Sequence, residues 1–262
     1  MDKSYNRETR KIIKTDVDVI SLENACNKID EWANNKETKY ISITNTHDIV
    51  RSWLDFDYRK ITQTSDMSIP DGFPVAWAMR LHGIKNQKRV AGPDLFENLI
   101  PRLARNNLRI FFYGSTSKVL NLIDERIKTN HPNLDVKFLS PPFRKLTLIE
   151  DLEIMKIINE FNPHVVFVGL GCPKQDQWIH QHKTKIETVF IGIGAAFDFF
   201  AKSKKRAPIF MQDNGMEWLF RLYKEPRRLF KRYCFTIILF FIGINIQIIK
   251  RYFKKIFEFY AR

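Results

Sequence analysis

The chain has 262 residues, 43 Lys and Arg against 29 Asp and Glu, a net charge of +14, and an apolar content of 44% with 13% aromatic. That much apolar and aromatic material excludes a disordered or fibrous chain, and the length allows one large domain or two small ones. Cys26, Cys172 and Cys234 are odd in number and far apart, which excludes a disulfide framework and a cysteine zinc site and fits reduced thiols in a cytosolic protein.

The opening MDKSYNRETRKIIKTD is polar and has no apolar run, so no secretory leader is expected. Residues 40–44 predict a strand, ending in the polar cluster Thr44-Asn45-Thr46-His47. Residues 49–58 predict an amphipathic helix. It contains Asp55-Phe56-Asp57, an Asp-x-Asp pair of the kind that holds a divalent metal in some sugar-nucleotide enzymes; on a helix face it reads as solvated charge. His47 has no partner at ligand spacing, so no metal is expected there. Ile69-Pro70-Asp71-Gly72 is a turn that aims one carboxylate rigidly, either as a general base or as an ordinary surface turn.

Residues 108–113 predict a strand stopped by Gly114, and Val119, Leu122, Ile123 and Ile127 then follow helical spacing. Thr147 and Glu150 form a capping box before a helix in which Leu152, Met155, Ile158 and Phe161 recur. Residues 164–169 and 188–194 predict two further apolar strands that end in glycine, as buried parallel strands do. This alternation predicts an α/β fold with a mostly parallel sheet.

Three loops at predicted strand ends could hold a ligand. Gly114-Ser115-Thr116 opens a helix whose free N–H groups suit a phosphate, or is simply a capped turn. Gly169-Leu170-Gly171-Cys172-Pro173-Lys174-Gln175 combines backbone access, a cation and an amide. It lacks the P-loop Lys-Ser/Thr and the third glycine of the dinucleotide fingerprint, as does Gly192-Ile193-Gly194, which disfavours ATP and NAD. In open α/β sheets ligands bind where these loops lie, at the carboxyl ends of strands.

The charge is uneven. Residues 201–262 hold 15 basic and 4 acidic side chains, a net +11, leaving +3 for the first 200. Such asymmetry points to an anionic partner. The stretch 201–206, AKSKKR, marks a plausible boundary. Residues 211–223 read as amphipathic, with Trp218, Leu219, Leu222 and Tyr223 together; Pro226 can begin the next helix. Arg221, Lys224 and Arg228 suggest a basic stripe across the break. Residues 235–249 are apolar but shorter than the ~20 residues of a bilayer crossing. With Lys231-Arg232 before it and Lys250-Arg251 and Lys254-Lys255 after it, this run suits a helix lying in an anionic membrane interface; a short spanning helix and a buried core helix are the alternatives.

Several motifs in order carry a resemblance: Thr44-Asn45-Thr46-His47, Pro70-Asp71-Gly72, Arg89-Val90-Ala91-Gly92-Pro93-Asp94, Tyr113-Gly114, Ser140-Pro141-Pro142-Phe143, residues 169–175, Gly194-Ala195-Ala196-Phe197-Asp198-Phe199 and Glu217-Trp218-Leu219-Phe220-Arg221. Across roughly residues 35–235 the chain resembles the WecG/TagA/CpsF glycosyltransferases of bacterial surface-polysaccharide synthesis. The resemblance implies a Rossmann-like core over 1–200 and a helical, membrane-associating appendage over 201–262, working at the cytoplasmic face of the plasma membrane. It implies inverting transfer of an N-acetylmannosamine-type sugar or a hexose from a UDP-sugar to a polyprenyl-diphosphate-linked sugar, with no metal cofactor. Asp71 then matches the base and Arg221 an appendage arginine over the diphosphate, with Arg228 as a further substrate-binding residue of the appendage. Thr44, Asn45, Thr46, Arg89 and Gln175 match substrate-binding positions. Gly114, Ser115, Gly169, Gly171, Lys174 and Asp198 fall in the matching loops. The family often reads Thr-x-Asn where this chain reads Thr44-Asn45-Thr46, so the asparagine is shifted by one. Relatives form oligomers, which leaves a homo-oligomer open. The competing class is a non-catalytic nucleic-acid binder using the basic tail; the apolar run 235–249 argues against it, and no nucleic-acid partner is expected.

Overall fold

The computed structural model describes residues 7–260, leaving the first six and last two residues, and the side chains of 255, 259 and 260, outside the description. The polar opening, Lys255 and Arg262 of the tail fall wholly or partly there.

The chain begins with a hairpin, β1 (Thr9–Ile12) and β2 (Thr15–Asp18), turning at Ile13 with φ of 60°. Then come α1 (Leu22–Asn34), β3 (Lys39–Thr44), α2 (Thr46–Leu54), α3 (Phe56–Thr62), β4 (Met67–Pro70), α4 (Phe73–Leu81) and α5 (Gly92–Arg105). They are followed by β5 (Ile110–Gly114), α6 (Ser117–Asn130), β6 (Val136–Leu139), α7 (Leu148–Phe161), β7 (Val165–Gly169), α8 (Lys174–His182), β8 (Val189–Gly192) and α9 (Ala196–Phe200). Three helices finish the chain: α10 (Ile209–Asp213), α11 (Glu217–Lys224) and α12 (Pro226–Tyr260).

Six strands form one sheet in the order β4-β3-β8-β7-β5-β6, every pairing parallel. The α/β expectation holds. The hairpin and the two edge strands were not expected: β4 and β6 have four residues each, too few for an alternating pattern to stand out. Parallel strands are covered on both faces. On one face Phe96 of α5 meets the rings of Phe112, Phe167 and Phe200 at centroid distances of 6.0, 4.7 and 4.6 Å. A fully buried ring of this size contributes on the order of 1.5–3 kcal/mol. The other face buries Tyr113, Ile158, Trp178 and Phe190 under α7 and α8. A third cluster joins the hairpin to α2, α4 and α12 through Ile12, Ile49, Val75, Phe240 and Ile244.

Three local expectations are corrected. The helix expected over 49–58 divides at Asp55, which ends α2 and caps α3 by accepting from the Tyr58 N–H at 2.9 Å. Asp55 and Asp57 then pair with Arg51 and Lys60, as solvated helix-face charges do. The α7 stripe is Ile154 and Ile158, four apart, while Leu152 is exposed; a three-residue repeat falls short of a turn each time, so Leu152 and Phe161 lie on opposite sides. The stretch 211–223 is two helices, divided where Gly215 adopts φ of 72° against the Phe73 ring. At the 201–206 segment, Ala201 and Ala207 are buried and Arg206 is ion-paired to α5.

The expected capping box at Thr147 and Glu150 is present. The apolar run 235–249 sits inside the 35-residue α12, which starts at Pro226. As a whole that helix is long and apolar enough to cross a membrane. One side of it packs on α2 and the hairpin: Gly243 lets Ile13 and Trp53 approach so closely that a Cβ would lie 2.6 and 3.2 Å from them.

Candidate active site

Because every strand of the main sheet runs the same way, the loops after β4, β3, β8, β7 and β5 share its carboxyl edge. Thr44 pairs with Pro70 in register, and the Asp71 N–H donates to the Thr44 carbonyl at 3.0 Å. This bond fixes the turn that presents Asp71, and Gly72 with φ of 88° releases the chain into α4.

Asp71 is half-buried, and its carboxyl is pushed up to about 6. Burial is the main cause and the Glu217 carboxylate adds to it; Arg221 and Arg89 oppose. Around it lies a lattice of charges from four segments. Arg89 donates to Glu217 of α11 at 3.0 Å and to Gln212 of α10 at 3.3 Å. Arg206 pairs with Asp94 of α5 and lies 3.7 Å from Glu217. Arg221 lies with its guanidinium 5.5 Å from the Phe199 ring centroid and lines a cavity of about 260 Å³ with Lys204, Lys205, Phe220, Lys224 and Glu225. The structure therefore gathers Asp71, Arg89 and Arg221. Glu217, Arg206 and Asp94 were missed as site residues; Asp94 and Glu217 stood inside the resemblance motifs, but their pairing has no local signal.

Thr44 is buried and donates to Ser42 at 3.3 Å. Asn45 caps α2, accepting from the His47 N–H at 2.8 Å, while its own N–H donates to Asp48 at 3.0 Å; Thr46 is the first residue of that helix. The asparagine thus has a structural job in this chain, whatever else it binds.

Gln175 is buried under the end of β8, and a Cβ on Gly192 would lie 2.9 Å from its Nε2. Its Oε1 is buried and has no hydrogen-bond partner among the described residues, an acceptor directed toward the Gly194 turn. Lys174 is exposed at the start of α8. Of the loop glycines, Gly171 has φ of 79° and open space within 4 Å of a Cβ, as a ligand-facing glycine should.

Gly114 and Gly169 have a different explanation. A Cβ on Gly114 would lie 2.6 Å from Gly169, and a Cβ on Gly169 2.5 Å from the Phe197 ring. Close packing alone requires these two glycines. Gly169→Ala should cost about 1–3 kcal/mol by overpacking, read as a lower midpoint in urea unfolding. Ser115 lies outside the helix with φ of 58°, and Thr116 is the cap, accepting from the Val119 N–H. This end of β5 is four strand spacings from β4, about 19 Å. Asp198 and Arg228 are each paired, with Lys204 at 3.3 Å and Glu225 at 2.5 Å.

Beneath the β3 and β7 loops lies a buried polar cluster that sequence reading did not find. Asp176 accepts from Tyr40 at 2.5 Å and from Tyr58 at 2.9 Å. Tyr58 also lies 3.2 Å from Asp48 and 3.3 Å from the Cys172 sulfur. Burial pushes both carboxyls and the Cys172 thiol up. Asp48, Cys172 and Asp176 offer ligand atoms within 4.8 Å of one another. All four carboxylate oxygens already take part in hydrogen bonds, so the cluster ties the two loops together through its own groups.

The structure is an α/β fold that gathers charged side chains at the carboxyl edge of a parallel sheet, where open α/β sheets place their ligands. The chain belongs to the glycosyl transferase WecG/TagA/CpsF family, which it matches over residues 10–254. It is 33% identical over 190 residues, 72% of each chain, to an N-acetylglucosaminyldiphosphoundecaprenol N-acetyl-beta-D-mannosaminyltransferase of Bacillus subtilis (strain 168). Proteins of the same name from Bacillus spizizenii and Staphylococcus aureus (strain MW2) are 33% identical over 172 residues and 28% over 175, covering 65% and 66% of each chain. The chain thus spans about two thirds of the length of the relatives it matches.

Proposed function

We propose that the chain transfers a sugar, with inversion, from a UDP-sugar to a lipid-diphosphate-linked sugar, with Asp71 as the base. The observation that carries this reading is Asp71 itself: a half-buried carboxyl at the carboxyl end of β4, within the electrostatic reach of Glu217, Arg221 and Arg89, in a chain of this family. Inversion needs one base facing the acceptor hydroxyl, and a carboxyl raised to about 6 is a stronger base than a solvated one yet is ionised at neutral pH. Arg221, with Arg89 and backbone N–H groups, would meet the charge that develops on the departing diphosphate. No step of this reading calls for a metal cofactor. The names of the relatives favour N-acetylmannosamine as the sugar and N-acetylglucosaminyl-diphosphoundecaprenol as the acceptor. Docking of 201–262 at the inner surface of the membrane would bring the site to such an acceptor. The nucleic-acid reading is weaker, because the basic tail shares its helix with a broad exposed apolar face.

The direct test screens UDP-sugars against a lipid-diphosphate monosaccharide and follows UDP release. UDP formed only when donor and acceptor are both present is expected; no release with any pair overturns the reading. The pH profile adds a second check. Asp71 must be ionised to act, so kcat/KM should rise as pH climbs through about 6. Glu217→Gln removes a charge that raises this carboxyl and frees Arg89, which lowers it. Both effects move the acidic limb to lower pH; an unmoved limb would separate Glu217 from the base.

A further inference from the structure

Helix α4 begins two residues after Asp71 and carries an apolar stripe that the core does not use. Phe73, Trp77 and Leu81 recur every four residues, so they follow one side of the helix away from the Asp71 turn for about 12 Å. Val75, Ala78 and Met79 occupy the opposite side and enter the third core cluster. Phe73 is 39% exposed and Leu81 46%. Trp77 is half-buried, its ring 5.5 Å from that of Phe241 on α12, which is exposed in turn. At the near end the Phe73 ring lies against the α10–α11 turn, where a Cβ on Gly215 would come within 2.5 Å of it. The stripe therefore leaves the Asp71 turn beside the α10–α11 turn and meets α12 one helical turn further on.

One cation belongs to this stripe. Helical side chains lean toward the start of their helix, and Arg80 reaches back until its guanidinium carbon lies 5.3 Å from the centre of the Phe73 ring. Its hydrogen bond to the Gln87 carbonyl is long, 3.4 Å, and it has no carboxylate partner among the described residues. Arg89 and Arg206 of the charge lattice, in contrast, are both ion-paired.

We propose that the stripe seats the lipid of the acceptor, with the first isoprene units of the polyprenyl chain on Trp77, Leu81 and Phe241 and the diphosphate beside Arg80. This rests on the reading of Asp71 as the base. A lipid-linked sugar is a hydroxyl-bearing ring, then a diphosphate, then an apolar chain. Leaving Asp71, the protein offers the matching order: a carboxylate, an unpaired guanidinium over Phe73, then exposed apolar side chains. A second copy of this chain would cover the stripe without needing a cation at its head. A bilayer would meet the outward side of α12, at Ile238, Ile242 and Ile246, and not the seam where Trp77 faces Phe241.

The test uses the full chain without membranes or detergent. UDP release is followed with N-acetylglucosaminyl diphosphate carrying either a methyl or a farnesyl group. The farnesyl acceptor should show a kcat/KM about tenfold higher or more, because its chain buries apolar surface on the stripe. Leu81→Gln should reduce the farnesyl-to-methyl ratio about threefold. Leu152→Gln, at an exposed leucine of α7, which packs on a different core cluster, should leave that ratio unmoved. Arg80→Gln should lower kcat/KM about tenfold for both acceptors and keep their ratio, since both carry the diphosphate. Turnover of the two acceptors at equal kcat/KM would overturn the seat while leaving the reading of Asp71 standing. A ratio unmoved by Leu81→Gln, or moved equally by Leu152→Gln, would give the stripe to another occupant and overturn the seat as well. No release with either acceptor would overturn the reading of Asp71 and the seat together.

Discussion

Asp71→Asn should lower sugar transfer by about two to four orders of magnitude, the usual contribution of a positioned base. UDP should still bind, because the substitution keeps the shape of the side chain and leaves the β3, β7 and β8 loops intact. The fold should not suffer. Burial disfavours the charged form of Asp71, so its ionisation opposes folding above the ordinary carboxylate range. A neutral amide removes that penalty, and the melting temperature at pH 8 should hold or rise. Lost turnover with unchanged or greater stability is the signature of a strained catalytic group. Undiminished turnover would refute the assignment of the base.

Arg221→Ala should reduce kcat/KM by about 10²–10³, the range seen when one group stabilising a developing negative charge is removed. The geometry makes this a clean measurement. Helix α11 has no buried residue, and Arg221 rests on the Phe199 ring, so truncation leaves the core untouched. Thermal unfolding should move little. Arg221→Lys should recover only part of the activity, because an ammonium cannot offer two parallel N–H donors to a phosphate. A variant that loses stability but keeps kcat/KM would make Arg221 structural.

Several special positions were legible before folding because their signals are local. Gly114, Gly169 and Gly171 end or follow apolar runs, Asp71 sits in a Pro-Gly turn, and Thr147 and Glu150 stand at capping-box spacing. Each signal spans a few residues. What stayed hidden is nonlocal. The Arg89–Glu217 pair joins residues 128 apart, Arg206–Asp94 joins residues 112 apart, and Tyr58 reaches Asp176 across 118. No periodicity records such pairs. The glycines teach the converse: they were legible as special positions, but only the packing of Phe197 on Gly169 shows which of them the neighbouring residues require.

The tail shows the same division. Sequence alone determined that the charge excess lies in residues 201–262, that an apolar run stands between basic flanks, and that ordered motifs place the chain in a glycosyltransferase family. Those facts depend on composition and on spacing along the chain. Only the tertiary structure decided which way α12 faces. Its inward side is set by Phe240 and Ile244 entering the third core cluster, by Gly243 admitting Ile13 and Trp53, and by Gln247 clasping the hairpin. Once that side is buried, the rigid turn of the helix leaves Ile238, Ile242, Ile246 and Ile249 facing outward. A helix fixes the angles between its side chains, but contacts with the rest of the chain fix where that wheel points.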